Sequence, residues 1–460
     1  MAENESSGRA NRVPVTIRLK VPVAVPDTEV FGLAERQARS LHFDIKLDYE
    51  YNPLPVRPPR AEQEALRKSE LKLVVIRAWM DPQDIPTLKE QAYVDHVARD
   101  APLEPFTPPA RAVLGEYAAL GAAAHRVDCA TDKAVGTAGD VARDLGVTRI
   151  RAAGFTGRGI VVGVVDGGIT ADRRPLKLGG WPAIPQPPAV GEVIGGWPLA
   201  DWGTTAEGWG QHGNMIAFDV QAMAPEAELW DMRIWQPSVA FPAYVGNAEQ
   251  AYGHAIAHYK AHGVPHILVN SWGVYDSDNG PDYAFNPHST IALLIEEAID
   301  EGMLILFAAG NCGDGCPFTS GSLCGYGNRG PGASILGPNG HPAVMTVGAA
   351  TLKGEWCGYT SQGPAVLPPN DPDKPDFCSI SQFEGFFPNE TGLRPYDGGT
   401  SAAAGIAAGV VALLKQARPD LTQDECKRLL KETAQPIKSA AAHGGAGAGI
   451  IDALRAFRSL

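Results

Sequence analysis

The chain has 460 residues, 44% of them hydrophobic, which is enough apolar material for a large core and too long for one ordinary core, so two domains are expected. A formal net charge of -13 and the absence of any Lys/Arg-rich stripe exclude a nucleic-acid partner. No run of about 18 apolar residues occurs, and the polar start MAENESSGRANRVPV lacks the roughly 7 to 15 apolar residues of a signal-peptide core; with an odd count of seven cysteines, the expectation is a soluble, cytoplasmic protein in a reducing compartment with no membrane partner.

Residues 1–12 read as a disordered tail. Val15, Ile17, Leu19 and Val21 alternate with Thr16, Arg18 and Lys20, the period of a half-buried strand. A short helix over 31–39 follows, and alternation returns from Leu41 to Tyr51 as a second strand. Residues 52–60 hold four prolines and read as a stiff, exposed connection, leading into a charged helix that ends at Glu70. A strand over 71–79, a helix over 82–91 and a strand over 93–98 complete a βαββαβ order, which predicts a small α+β ferredoxin-like domain over 13–105. Residues 106–145 are rich in Ala, Gly and Pro and read as a linker. From 146 to 460 the strands become short and continuously apolar (Ile160 to Val165, Ile267 to Val269, Met303 to Phe307) and alternate with amphipathic helices. That pattern predicts an α/β fold, a mostly parallel sheet flanked by helices, with functional residues where strands end.

Three polar residues stand at such places. Asp166 follows the apolar run IVVGVV, His212 opens a segment of small residues, and Ser401 lies where a glycine turn enters a very small-residue helix. Singly each has a bland explanation as a turn former or helix cap. Together, TGRGIVVGVVDGGI around Asp166, the His212-Gly213 helix ending in Met223-Ala224-Pro225, and GGTSAAAG around Ser401 resemble the subtilase superfamily in order and spacing. NSWG at 270–273, LFAAGN at 306–311, HPAVMTVGA at 341–349, YTSQGP at 359–364, KPD at 374–376 and GIIDALRA at 449–456 extend the resemblance over most of 145–460.

The resemblance implies a subtilisin-like serine endopeptidase acting on polypeptide substrates through an acyl-enzyme on Ser401. His212 would serve as general base, Asp166 would hold the imidazole, and Asn311 would donate to the oxyanion. Ser271, Trp272 and Gly273 would form one wall of the primary pocket and bind substrate as an added strand, with Ala309 and Gly310 opposite. Departures from the motif are Asn214, Met215 and Phe218 on the His212 helix, and Gly405 and Ile406 where the family carries Pro-His. A peptide ligase or macrocyclase using the same acyl-enzyme, and a catalytically impaired binding scaffold, are the alternatives. Residues 13–105 resemble subtilase propeptides, which implies a chaperone and inhibitor in cis, with self-cleavage between Ala101 and Val141.

No cofactor is required by this chemistry. Cys312, Cys316, Cys324 and Cys357 are close enough in sequence for zinc, for disulfides or for packed free thiols, and their spacing favours no paired zinc motif. The loop 276–282, DSDNGPD, offers oxygens for a structural calcium but misses the EF-hand spacing. His254, His258 and His262 share a helical face without the HExxH pattern.

Overall fold

A computed structural model of the chain describes residues 12–40, 45–106, 127–128, 134–171, 192–204, 209, 211–236, 243–316, 324–387, 396–437 and 444–460. The tail 1–11 lies outside the described residues.

The N-terminal region carries strands β1 (Val13–Pro22), β2 (Lys46–Leu47), β3 (Leu54–Val56), β4 (Leu71–Met80) and β5 (Val94–Arg99), with helices over Val30–Ser40, Gln63–Lys68 and Ile85–Lys89. Their sheet has the order β2-β4-β1-β5, with β3 also on β4, and its pairs are antiparallel. This is the ferredoxin-like order. The period-2 logic of β4 sorts its apolar run: Val74, Ile76, Ala78 and Met80 face the domain's own core, while Val75 joins Tyr51 and Val56 in a cluster shared with the larger unit. Two expectations need correction. Among the described residues of 41–51 only Lys46–Leu47 is strand, because the chain turns after it to bury Asp48 against Arg77 at 2.7 Å. The proline-rich segment is not a bare connection: Leu54–Val56 adds to β4 as an edge strand, where proline costs no ladder hydrogen bond.

The larger unit is built on strands that follow β6 (Glu104–Pro105): β7 (Val127–Asp128), β8 (Val161–Asp166), β9 (Val193–Trp197), β10 (Glu228–Arg233), β11 (Ile267–Asn270), β12 (Trp272–Gly273), β13 (Leu304–Ala308), β14 (Met345–Ala350), β15 (Trp356–Cys357) and β16 (Phe377–Ile380). One sheet runs β7-β15-β14-β13-β11-β8-β10-β9 with β16 beside β14, and only the β14/β15 pair is antiparallel. The strand order reverses around β8, so its carboxyl end, Asp166, lies at a switch point where α/β sheets place their chemistry. The helix Gly399–Ala417 is buried from Gly399 to Lys415 and packs on the helix His212–Met223 and on β14. By length and apolarity it could cross a bilayer, yet here it forms the middle of the core. The unit also starts earlier than 146. Val127–Asp128 pairs with β15, and Val141 and Ala142 of the helix Ala138–Asp144 sit in the main core.

The two units meet on the helix Val245–His262. Tyr51 donates to Glu249 Oε2 at 2.9 Å, Arg77 donates to Asn247 Oδ1 at 2.8 Å, and Asp100 Oδ1 accepts the Gly246 N–H at 2.8 Å. Around this buried patch, His96 bonds Asp282 at 2.7 Å and Arg57 donates to Asp300 at 2.8 Å.

Candidate active site

Asp166 is 1% exposed, and its Oδ1 accepts the Gly167 N–H at 2.7 Å. His212 opens the helix His212–Met223, and its Nδ1 lies 2.9 Å from both carboxylate oxygens of Asp166. Gly213 makes this approach sterically available: a Cβ there would stand 2.3 Å from the Gly168 carbonyl oxygen and would push the helix start off the loop that follows Asp166. Asn214 fastens the same junction, accepting the Thr170 N–H at 2.8 Å and donating to Gln211 Oε1 at 2.7 Å. The departure at 214 therefore holds the site together, and Met215 is plain core. Phe218 packs toward Phe386, with ring centroids 6.3 Å apart. Below Asp166, Asp231 on β10 accepts N–H groups from Ile169 and Gly203. Burial pushes its carboxyl up to about 7, with the Gly203 N–H pulling the other way. Asp219, further along the same helix, is pushed well above the carboxylate range by burial and by the neighbouring Asp397.

Ser401 lies in the first turn of the helix Gly399–Ala417, whose N–H groups are unspent by the helix and favour nearby negative charge. Gly405 and Ile406 leave that helix unbroken. Asn311 follows β13. Its Oδ1 accepts from Thr400 N and Thr400 Oγ1, both at 3.0 Å, which orients the amide and turns Nδ2 toward the cleft.

The cleft is occupied by the chain itself. Residues 101–106 run between two segments of the larger unit: Val245 donates to the Ala101 carbonyl at 2.9 Å, Leu103 donates to Ala243 at 2.9 Å, and β6 pairs antiparallel with β12 on the other side. Phe106 N donates to the Ser271 carbonyl at 3.0 Å. The Phe106 carbonyl then accepts from Asn311 Nδ2 at 2.9 Å and from Ser401 Oγ at 2.8 Å. His212 Nε2 is buried with no hydrogen-bond partner, the Ser401 hydroxyl being turned onto Phe106.

The Phe106 ring is buried against Gly273, where a Cβ would come within 2.5 Å of it, and close to Gly310. Gly273 is thus a wall that works by having no side chain. Ser271 and Trp272 contribute backbone to the added strand, as expected for them. Ala309 is buried and donates to Val347, ending β13 beside Gly310. Sequence reasoning passed over Phe106, assigned to the linker, and also Thr400, Tyr275 and Asn339. Asn339 Nδ2 donates to the carbonyls of Trp272 and Ala308, both at 2.9 Å, tying the two pocket walls together.

Cys312, directly after Asn311, is disulfide-bonded to Cys324, and Cys316 is also in a disulfide, whereas Cys357, Cys378 and Cys426 are free and buried. A four-thiolate zinc site is therefore not assembled, and the odd count did not signal unpaired thiols throughout. The double variant Cys312→Ser/Cys324→Ser is expected to lose about 3 kcal/mol of stability through loop-closure entropy. Unchanged urea midpoints for the two proteins would contradict this. Among the described residues no group of three or more His, Cys, Asp or Glu is arranged to hold a metal ion. His254 stacks on Trp230, His258 donates to or accepts from neighbours of the same helix end, and in the 276–282 loop Asp276 accepts from Asp278 N while Asp282 is taken by His96.

The model of the subtilase family matches residues 157–449. Bacillopeptidase F of Bacillus subtilis (strain 168) is 31% identical over 144 residues, covering 30% of this chain and 10% of the relative. Serine protease AprX of the same organism is 24% identical over 314 residues, covering 60% of this chain and 61% of the relative. The chain thus spans a tenth of the first relative's length and 61% of the second's. The crystal structure of fervidolysin from Fervidobacterium pennivorans, a keratinolytic enzyme related to subtilisin, is similar in fold, with a TM-score of 0.59 at 17% identity over 97% of this chain and 61% of that one. The match over 157–449, coinciding with the unit that carries Asp166, His212, Asn311 and Ser401, makes the chain a member of the subtilase family.

Proposed function

We propose that the chain is a serine endopeptidase whose first substrate is its own peptide bond after Phe106. The observation that carries this is the Phe106 carbonyl, which lies between the Asn311 amide and the Ser401 hydroxyl at 2.9 and 2.8 Å. In the reaction, Ser401 Oγ turns to His212 Nε2, gives up its proton and attacks the Phe106 carbonyl carbon. The oxygen takes the negative charge and receives the Asn311 N–H, while Asp166 stabilises the imidazolium at Nδ1. His212 returns the proton to the leaving amine, and water resolves the acyl-enzyme. An impaired scaffold would leave Ser401 unactivated. A fluorophosphonate probe tests this: covalent labelling of the wild type and none of Ser401→Ala is expected, and an unlabelled wild type would reject the protease reading.

The N-terminal domain acts in cis as inhibitor and chaperone in this proposal, because its tail fills the cleft and its sheet covers the helix Val245–His262. After cleavage it should stay bound in a pH-dependent way. In the interface, burial pushes Asp100 up to about 6 against the pull of Arg77, and burial pushes Glu249 up to about 8, reinforced by Asp100. Once the domains separate, both return to about 4, so the complex holds protons that the separated parts release. A raised bound-state value means binding is strongest below the free value and weakens as pH climbs toward the bound one. Asp282 is buried but held low by its bond to His96, and adds no slope in this window. Co-elution of the cleaved domain should therefore be complete at pH 5 and diminish by pH 8. Tighter association at pH 8 than at pH 5 would contradict it.

A further inference from the structure

Beyond Gly273 the chain places one more side chain on the segment in the cleft. Tyr275 donates its hydroxyl to the Pro105 carbonyl at 3.0 Å, and its ring meets Phe106 edge-on, with centroids 5.3 Å apart. We propose that Tyr275 is a specificity-determining residue, selecting an aromatic side chain before the scissile bond and anchoring the carbonyl of the residue before that. This rests on the reading that residues 103–106 lie in the cleft as a substrate does.

Both contacts are held rigidly. Tyr275 is 7% exposed, and its own carbonyl accepts the Gly325 N–H at 2.9 Å, next to the Cys312–Cys324 disulfide. An aromatic ring presented edge-on rewards another aromatic ring beyond simple burial, and a branched aliphatic chain gains nothing from the quadrupole. Gly273 and Gly310 leave a flat slot for that ring, with the Asn339 amide oxygen close to the Gly273 end. None of these lining residues carries a charge, so a lysine or arginine entering the slot would be desolvated without a partner.

The register also explains the proline at 105. The cleft takes N–H donors from Leu103 and Phe106 and asks residue 105 for an acceptor, the carbonyl that Tyr275 binds. A residue with no N–H is admitted there without loss. The substrate class is accordingly an extended peptide with an aromatic residue before the cut, proline accepted one residue earlier, and an aliphatic residue two further back, where Leu103 is 2% exposed.

The test uses the self-processed full chain with acetylated p-nitroanilides of Leu-Glu-Pro-Phe, Leu-Glu-Pro-Leu and Leu-Glu-Pro-Arg, with active sites counted by fluorophosphonate. Wild type should favour Phe over Leu by up to about tenfold in kcat/KM, the scale of an edge-on aromatic pair, and should barely turn over Arg. Tyr275→Phe should lower kcat/KM about five- to tenfold on the Phe and Leu peptides alike, the loss of one hydrogen bond, and keep their ratio. Tyr275→Leu should bring the ratio close to one, which a merely structural role would not do. An active wild type with Tyr275→Phe unchanged, or with Tyr275→Leu retaining the preference, would overturn the proposal. A wild type that cleaves neither the peptides nor itself would overturn the endopeptidase reading instead.

Discussion

Ser401→Ala is expected to lower kcat for peptide hydrolysis by about a millionfold, the scale on which a nucleophile is worth in a triad that acts as a unit. The oxygen removed is the one 2.8 Å from the Phe106 carbonyl, and the residues around it offer no replacement hydroxyl placed for attack: Thr400 Oγ1 is committed to Asn311 Oδ1 and accepts from Gly310 N. The loss should fall on kcat, since the strand that binds substrate, β12, is untouched. Assays on the Leu-Glu-Pro-Phe p-nitroanilide decide it, and retained turnover would remove Ser401 from the mechanism.

Asn311→Ala is expected to cost about 10² to 10³ in kcat with KM nearly unchanged. Its Nδ2 meets the carbonyl oxygen at 2.9 Å already in the bound state, but that oxygen carries full negative charge only near the transition state, so the hydrogen bond strengthens as the barrier is climbed. The Thr400 contacts to Oδ1 hold the amide in this orientation before substrate arrives, which avoids reorganisation during the reaction. Steady-state kinetics on the same peptide separate the two parameters. A loss confined to KM would make Asn311 a binding residue only.

How much of this could be read from the sequence depended on how local each signal was. The ten-residue strands β1 and β4 announced themselves through alternation or apolar runs, and Asp166, His212 and Ser401 through flanking glycines that the site geometry requires. Gly213 is such a case, since only its missing side chain lets His212 reach Asp166. Strands β2, β6, β7 and β12 are two residues each, too short for any period, and exist because a partner strand passes alongside. The prolines at 53 and 55 hid β3 for a related reason: edge pairing, which tolerates proline, is invisible without the neighbouring strand. Phe106 was illegible as a site residue because nothing in its local sequence distinguishes a linker from a peptide lying in a cleft. The cysteines misled through counting, since an odd total is compatible with the Cys312–Cys324 pair beside three buried free thiols.

The most direct measurement is the intact mass of purified wild type beside Ser401→Ala. The wild type should resolve into two fragments, one ending at Phe106 and the other beginning at the next residue, while Ser401→Ala remains a single chain. Two identical uncut masses, or the same cut in both proteins, would contradict a serine endopeptidase that processes itself at the bond held between Asn311 and Ser401.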